Sequence, residues 1–317
     1  MFALLLAFAL QAAPAASTEI ATDLPKGFLA ESAEWDAAHS RFLLGSVREH
    51  WIAAVDPANG RAREFADAPG SVLGLHVDAA TGALWATWTH FGHGFDHNPA
   101  SGVAAWSLRD GRSLGIWPLP DRDPRVNLGD LVFVDAHTLV ASDSGTGAIW
   151  RFDMRTHEYA KVVAAGKFRS LQGMAPGRTP GTIYLADYPT GLWRIALANG
   201  EAVQLAAPAN SELRGIDGLY RRDDQLIAVQ NGTRTPRILA IALGKNDAIA
   251  RVQRWREMPG EEPGLGTFAA DRFWFVVDDQ WNEYDDDLQP KAGAARQPPR
   301  LRGLPLSELG ARVSSSQ

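Results

Sequence analysis

Four side chains able to bind a hard cation through oxygen, Glu31, Asp130, Gln172 and Asp217, recur at like places in a repeated sequence pattern. Gly74 and Thr267 hold the two remaining places, and the separations in chain order are 43, 56, 42, 45 and 50 residues. A closed repeat brings equivalent places to one axis, so three carboxylates and one carboxamide would share a narrow funnel. Like charges held that close repel, and such a cluster persists when a cation neutralises it. The chain has no cysteine, which excludes thiolate ligands and a cysteine nucleophile, so a metal would be held by oxygen or imidazole. Hard oxygen ligands select Ca²⁺ first, with Mg²⁺, Mn²⁺ or Zn²⁺ as alternatives. A bland reading stands beside this one, because a lone Asp where a strand begins usually caps a turn or pairs with arginine.

Around that funnel, the loops joining the second to the third strand of each repeat would supply the wall. They carry Asp143, Asp187, Tyr188, Asn231, Arg234, Asp278, Asp279, Gln280 and Trp281, a polar and aromatic mixture suited to a small-molecule substrate. The corresponding segment of the second repeat is longer and holds His90, His93 and His97 among glycines. His90 would then face a substrate and His93 could shuttle a proton, although an exposed loop explains the same residues equally well. Asp217, or His93 acting through water, is the candidate for activating a nucleophile. His39, His137 and His157 fall in turns and read as solvated, and His76 reads as a hydrogen-bonded core residue. No phosphate-binding Gly-rich loop with Lys and no His-Glu-x-x-His pattern occurs.

The elements that must position these residues come from the repeat itself. Each unit is a short apolar strand, a tight turn, a second apolar strand ending in a polar residue, a hairpin, a third strand and a polar fourth segment. Leu171-Gln172-Gly173-Met174-Ala175 followed by the strand from Thr182 and Gly191-Leu192-Trp193-Arg194 repeats the pattern of the unit from Leu128. Six units open near residues 29, 72, 128, 171, 215 and 264, at spacings typical of propeller blades. β-Branched and aromatic runs bounded by Asp56-Pro57, Asn59-Gly60 and Thr81-Gly82 agree with strands and hairpins. The expectation is an all-β, six-bladed β-propeller of four-stranded antiparallel blades around a central channel, one domain over residues 17–317. A sandwich or a pair of barrels would lack this self-similarity. Either the segment 299–306 or the run beginning Glu19-Ile20 supplies the outer strand that closes the ring. Of the eleven tryptophans, Trp35, Trp85, Trp150 and Trp193 sit at strand positions and are expected to pack between blades.

With 45% hydrophobic and 21% charged residues, the chain can bury a large core. A net charge of −6 without a basic run interleaved with aromatics excludes nucleic acid as an expected partner. Residues 1–16 read as a signal peptide, an apolar stretch followed by Ala12-Ala13-Pro14-Ala15-Ala16, though without a basic residue ahead of it. That places the protein in the periplasm or outside the cell, and no later stretch is long and apolar enough for an integral membrane span. Oligomeric state is left open.

Two segments carry a family resemblance. Ala30-Glu31-Ser32-Ala33-Glu34-Trp35-Asp36 is similar to a Gly-Glu-x-Pro-x-Trp opening, and Gly215-Ile216-Asp217-Gly218-Leu219 to a Pro-Asp-Gly-Leu segment. Both belong to the SMP-30/gluconolactonase/luciferin-regenerating-enzyme superfamily of six-bladed propellers, related to the paraoxonase-type lactonases, which the chain resembles over residues 29–286. The resemblance implies that Glu31 and Asp217 are metal ligands and that Asp217 doubles as a general base. Two positions depart from it: the family's central Asn-Gly is Gln172-Gly173 here, and its Asn-Asp near the third blade reads Asn127-Leu128-Gly129-Asp130. Gln keeps the carbonyl ligand on an arm one methylene longer. The implied function is a metal-dependent hydrolase of a lactone or related cyclic ester. The alternative is a non-catalytic propeller that binds a small molecule or protein, with a structural metal or none. A third, weaker reading is a lyase or strictosidine-synthase-like propeller lacking this metal set.

Overall fold

A computed structural model describes residues 18–90 and 99–309. The expected signal peptide and His93 lie outside the described residues. The chain forms six four-stranded antiparallel sheets, each wound from an inner to an outer strand, arranged as the blades of a propeller. Their inner strands are Ala30–Asp36, Ser71–Asp78, Leu128–Asp135, Leu171–Pro176, Ile216–Arg222 and Gly266–Ala269, each beginning within two residues of the start read from the repeat.

Burial falls off along the radius, as it must when blades are stacked face to face near the axis and splay outward. In the second strand of blade 2, Ala83–Thr89, and the third of blade 5, Arg237–Leu243, every residue is buried. Apart from Thr87, Thr89 and Arg237, these strands therefore read as apolar runs rather than alternating ones. The outer strand of blade 2, Ser113–Pro118, has no buried residue. Six apolar clusters fill the six interfaces between neighbouring blades. Leu43, Ile52, Leu84 and Trp106 join blades 1 and 2, and Trp85, Leu131 and Phe152 join blades 2 and 3. As expected, tryptophan works between blades, with the ring of Trp85 in blade 2 lying 6.0 Å from that of Phe152 in blade 3.

Both terminal segments close the ring. Arg300–Pro305 is the third strand of blade 6, and Thr18–Ala21 adds to it as the outermost strand, with Thr18 opposite Gly303 and Ala21 opposite Arg300. Ile20 and Leu24 then pack with Leu301 and Val276 of blade 6 and with Phe42 of blade 1, so the first described strand fastens the last blade to the first. Glu19 pairs with Arg300 at 3.1 Å and with Arg302 across the exposed face. Such surface pairs contribute little beside the apolar contact.

One local feature positions the site. In blades 1 to 5 the inner strand loses register with its neighbour at the same place: between Ala30 and Ser32, Val72 and Leu75, Leu128 and Leu131, Leu171 and Met174, and Ile216 and Gly218. A bulge removes a residue from the ladder and re-aims its side chain. The residues so released include Glu31, Gly74, Asp130, Gln172 and Asp217, the equivalent places of the sequence repeat. Blade 6 has no shift in its short inner strand, where Thr267 pairs in register with Trp274.

Candidate functional site at the mouth of the channel

Glu31, Asp130, Gln172 and Asp217 line one cavity of about 250 Å³, together with Asn127 and Tyr188. The close approach of blades 4 and 5 here needs glycine: a Cβ on Gly173 would lie 2.4 Å from the Leu219 nitrogen and 2.6 Å from the Asp217 carbonyl oxygen.

Each polar group has a defined partner. Glu31, 8% exposed, accepts a 2.5 Å hydrogen bond on Oε2 from the Trp281 indole Nε1–H. Asp217 accepts one on Oδ2 from Asn231 Nδ2 at 2.8 Å, and Asn231 Oδ1 accepts one from the Tyr188 hydroxyl at 3.1 Å. A chain Tyr188–Asn231–Asp217 thus runs from the rim inward. Gln172 donates through Nε2 to Ser170 Oγ at 3.0 Å, which fixes the amide and leaves its carbonyl oxygen. Asp130 differs from the others, because both of its oxygens accept backbone amides at 2.8 Å, Leu131 N–H on Oδ1 and Met174 N–H on Oδ2. The second of these bonds crosses from blade 3 to blade 4.

Burial and mutual repulsion push these acids upward. Burial, then the neighbouring Asp217, raise Glu31 to about 8 against the opposing pull of the Trp281 hydrogen bond. Asp217 rises to about 6 through burial, with Asp130 and Glu262 adding to it and the Asn231 bond working against it. Asp130 also rises to about 6 by burial, moderated by His76 and the two amides. Without a counter-ion, Glu31 therefore favours its proton at neutral pH, beside Asp130 and Asp217 that titrate just below it.

Two further acids act on this group: Asp279, already expected in the wall, and Glu262, which the repeat did not single out. Asp279, 1% exposed, is pushed well above the usual carboxylate range by burial, then by Glu31, Glu262 and Asp217. Glu262 is raised by burial and Asp278. Glu262 precedes the short inner strand of blade 6, five residues before Thr267, so the equivalent-position rule misses it.

The remaining wall residues divide. Tyr188, Asn231 and Trp281 are brought to the cavity. Asp143 and Asp187 are not: each is buried and spent on its own loop. Asp143 accepts the amides of Asn127, Gly145 and Thr146, and Asp187 those of Arg169 and Ser170, while each also takes the hydroxyl of the threonine three residues on. Gln280 is bonded both ways to the backbone of Gln297. His90 lies at the end of the second strand of blade 2 with its ring 5.5 Å from that of Trp88, and Arg234 lines a different cavity.

Among the described residues, no group of three or more His, Asp or Glu side chains comes together to hold a metal ion. The fit to a cation therefore rests on a mixed set of two carboxylates and two amide oxygens. Asn127 supplies the decisive observation, since its Oδ1 is buried without a hydrogen-bond donor among the described residues. A buried acceptor left unmatched is costly, and a hard cation beside Glu31, Gln172 and Asp217 would satisfy it. Asn127 lies outside the repeat register, and in the sequence only the family resemblance touches it. Its sequence neighbour Asp130 is the acid that stands in the repeat register.

Fold and cavity together define a six-bladed propeller with an acidic pocket at one end of its channel. No family model matches the chain, and no curated protein matches it in sequence. Solved structures with the same fold include the luciferin-regenerating enzyme, at a TM-score of 0.64 and 12% identity over 92% of this chain and 96% of that one. The calcium-binding protein regucalcin from Agrobacterium tumefaciens gives 0.59 and 13%, over 87% and 90%. The major allergen Mala s 1 of Malassezia sympodialis gives 0.70 and 11%, over 94% and 99%. At these identities the likeness establishes the propeller fold.

Proposed function

We propose that the protein is a metal-dependent hydrolase of a lactone or related cyclic ester, working in the axial cavity. The observation that carries this reading is the convergence of Glu31, Asp217 and Gln172 on one small cavity with the unmatched Asn127 Oδ1. Glu31, Asp217 and the carbonyl oxygens of Gln172 and Asn127 would hold a divalent cation, Ca²⁺ by preference for an all-oxygen set. Bound there, the cation would polarise an ester carbonyl and stabilise the oxyanion developing on it. Asp130 would complete the set as expected from the repeat, since each of its oxygens accepts a single backbone amide, one of them from across the blade 3–4 boundary, and keeps a lone pair.

The chain's own groups account for orientation and proton transfer. Trp281 holds one oxygen of Glu31, and Asn231, itself fixed by Tyr188, holds Oδ2 of Asp217. Oδ1 of Asp217 is left to accept a proton from water, since the Asn231 bond falls on Oδ2. The fold is shared with the luciferin-regenerating enzyme and with regucalcin, a calcium-binding protein, which agrees with an enzyme or a calcium site on this scaffold. The test is turnover of a lactone and ester panel by EDTA-treated protein, with and without added Ca²⁺, beside Asp217→Asn. Ca²⁺-restored hydrolysis absent from the variant supports the reading, and no turnover under any condition removes it.

A second reading, binding without chemistry, is favoured by the cavity itself. About 250 Å³ is smaller than most small-molecule sites and suits an ion more than a substrate. Ca²⁺-dependent stabilisation without turnover on the panel would select it. An N-terminal export signal over residues 1–16, and with it a periplasmic or secreted location, belongs to the same proposal.

A further inference from the structure

A second cavity, of about 680 Å³, opens on the rim of blade 5, and its charges do not balance. Four arginines and two glutamates line it: Arg214, Arg234, Arg237, Arg254, Glu212 and Glu257. Arg214 is spent on Glu212 in a two-pronged pair, with Nε and Nη2 each 2.9 Å from a carboxylate oxygen. Arg254 is paired with Glu257 at 3.2 Å. Arg234 and Arg237 form no ion pair among the described residues, which leaves two positive charges facing one cavity.

Arg237 makes this more than a surface cluster. It opens the third strand of its blade and is only 8% exposed. Its Nε–H donates to Gln230 Oε1, and Gln230 is locked by its own Nε2 on the carbonyls of Glu212 and Arg214 at 3.0 and 2.7 Å. The guanidinium plane is thereby fixed, and its two terminal nitrogens have no hydrogen-bond partner among the described residues. Burial and nearby Arg254 both work against its charge, with Glu212 and Glu257 offsetting part of that. A nearly buried guanidinium held in one orientation with its free edge on a cavity is an arrangement that an oxyanion completes, because two parallel N–H donors match carboxylate or phosphate.

We propose that this rim cavity is an anion site, binding the carboxylate or phosphate group of a small organic acid between Arg237 and Arg234. It is separate from the axial cavity. Tyr188 borders both, and its ring packs so closely on Gly232 that a Cβ there would meet the tyrosine oxygen at 2.3 Å. The site does not depend on a cation or on hydrolysis at the axis.

The test is calorimetric titration of the whole protein, stripped of metal with EDTA and then dialysed free of it, with inorganic phosphate and, separately, with succinate, against sodium chloride at matched ionic strength. Saturable binding of phosphate or succinate is expected, at least about tenfold weaker in Arg237→Gln and Arg234→Ala. Arg237→Lys keeps the charge but loses the fork, and should bind more weakly than wild type. The tighter of the two anions identifies the group the site takes. Arg234 is exposed, so Arg234→Ala carries the test even if the Arg237 variants fold poorly. No saturable binding of either anion beyond the chloride control, or equal affinity in wild type and Arg234→Ala, would overturn the proposal.

Discussion

The indole nitrogen of Trp281 donates a 2.5 Å hydrogen bond to Glu31 Oε2, joining the loop of the last blade to the bulge of the first. This bond is what holds Glu31 down against burial and the charge of Asp217. Trp281→Phe should therefore raise the Glu31 pKa further and weaken cation binding, by about tenfold for a lost hydrogen bond to a charged group. Calcium titration of the variant at pH 7 and at pH 9 checks it. The deficit should shrink at pH 9, where Glu31 ionises without help.

The pH dependence of the cation-free protein follows from the same acids. Glu31 and Asp217 stand near 8 and 6 in the fold, against ordinary values of 4.5 and 3.8. The folded state then holds more protons than the unfolded chain between about pH 4 and pH 8, so stability falls as pH rises through that window and levels off above it. In EDTA, Tm should drop from pH 5 to pH 8. Added Ca²⁺ should recover most of the loss at pH 8 and little at pH 5, where it must displace protons.

Asp217→Asn separates repulsion from function. It removes the largest charge acting on Glu31 while keeping the Asn231 neighbour, so the cation-free variant should be more stable than wild type at pH 8, by about 1 kcal/mol. Hydrolytic activity should fall by about 10²-fold or more with loss of the base. Chemical denaturation in EDTA beside a rate assay measures both.

Much of this was legible in the sequence, and the exceptions have physical reasons. The period survives because each blade must bury both faces near the axis, and it places Glu31, Asp130, Gln172 and Asp217 on one cavity because the bulges recur with it. Asp143 and Asp187 have the right positions but the wrong task. The threonine three residues after each, Thr146 and Thr190, signals a side chain folded back on its own turn. Glu262 was hidden by the shortness of the blade 6 strands, which shifts it out of the common register. Ring closure could be narrowed to two segments, and the fold uses both, since blade 6 lacks two outer strands once its first pair is built.

Closure gives a stability contrast. Ile20 is buried between the last and first blades, whereas Leu114 on an outer strand is 44% exposed. Ile20→Ala should cost about 2–4 kcal/mol and Leu114→Ala less than about 0.5. Equilibrium denaturation of the two variants checks the difference.

Calorimetric titration of Ca²⁺ into EDTA-treated protein at pH 8, comparing wild type with Glu31→Gln and Asp217→Asn, tests the axial cation site most directly. One saturable site in the wild type, weakened about 100-fold or more in each variant, is the predicted result. No saturable binding in the wild type, or binding that both variants retain unchanged, would contradict it.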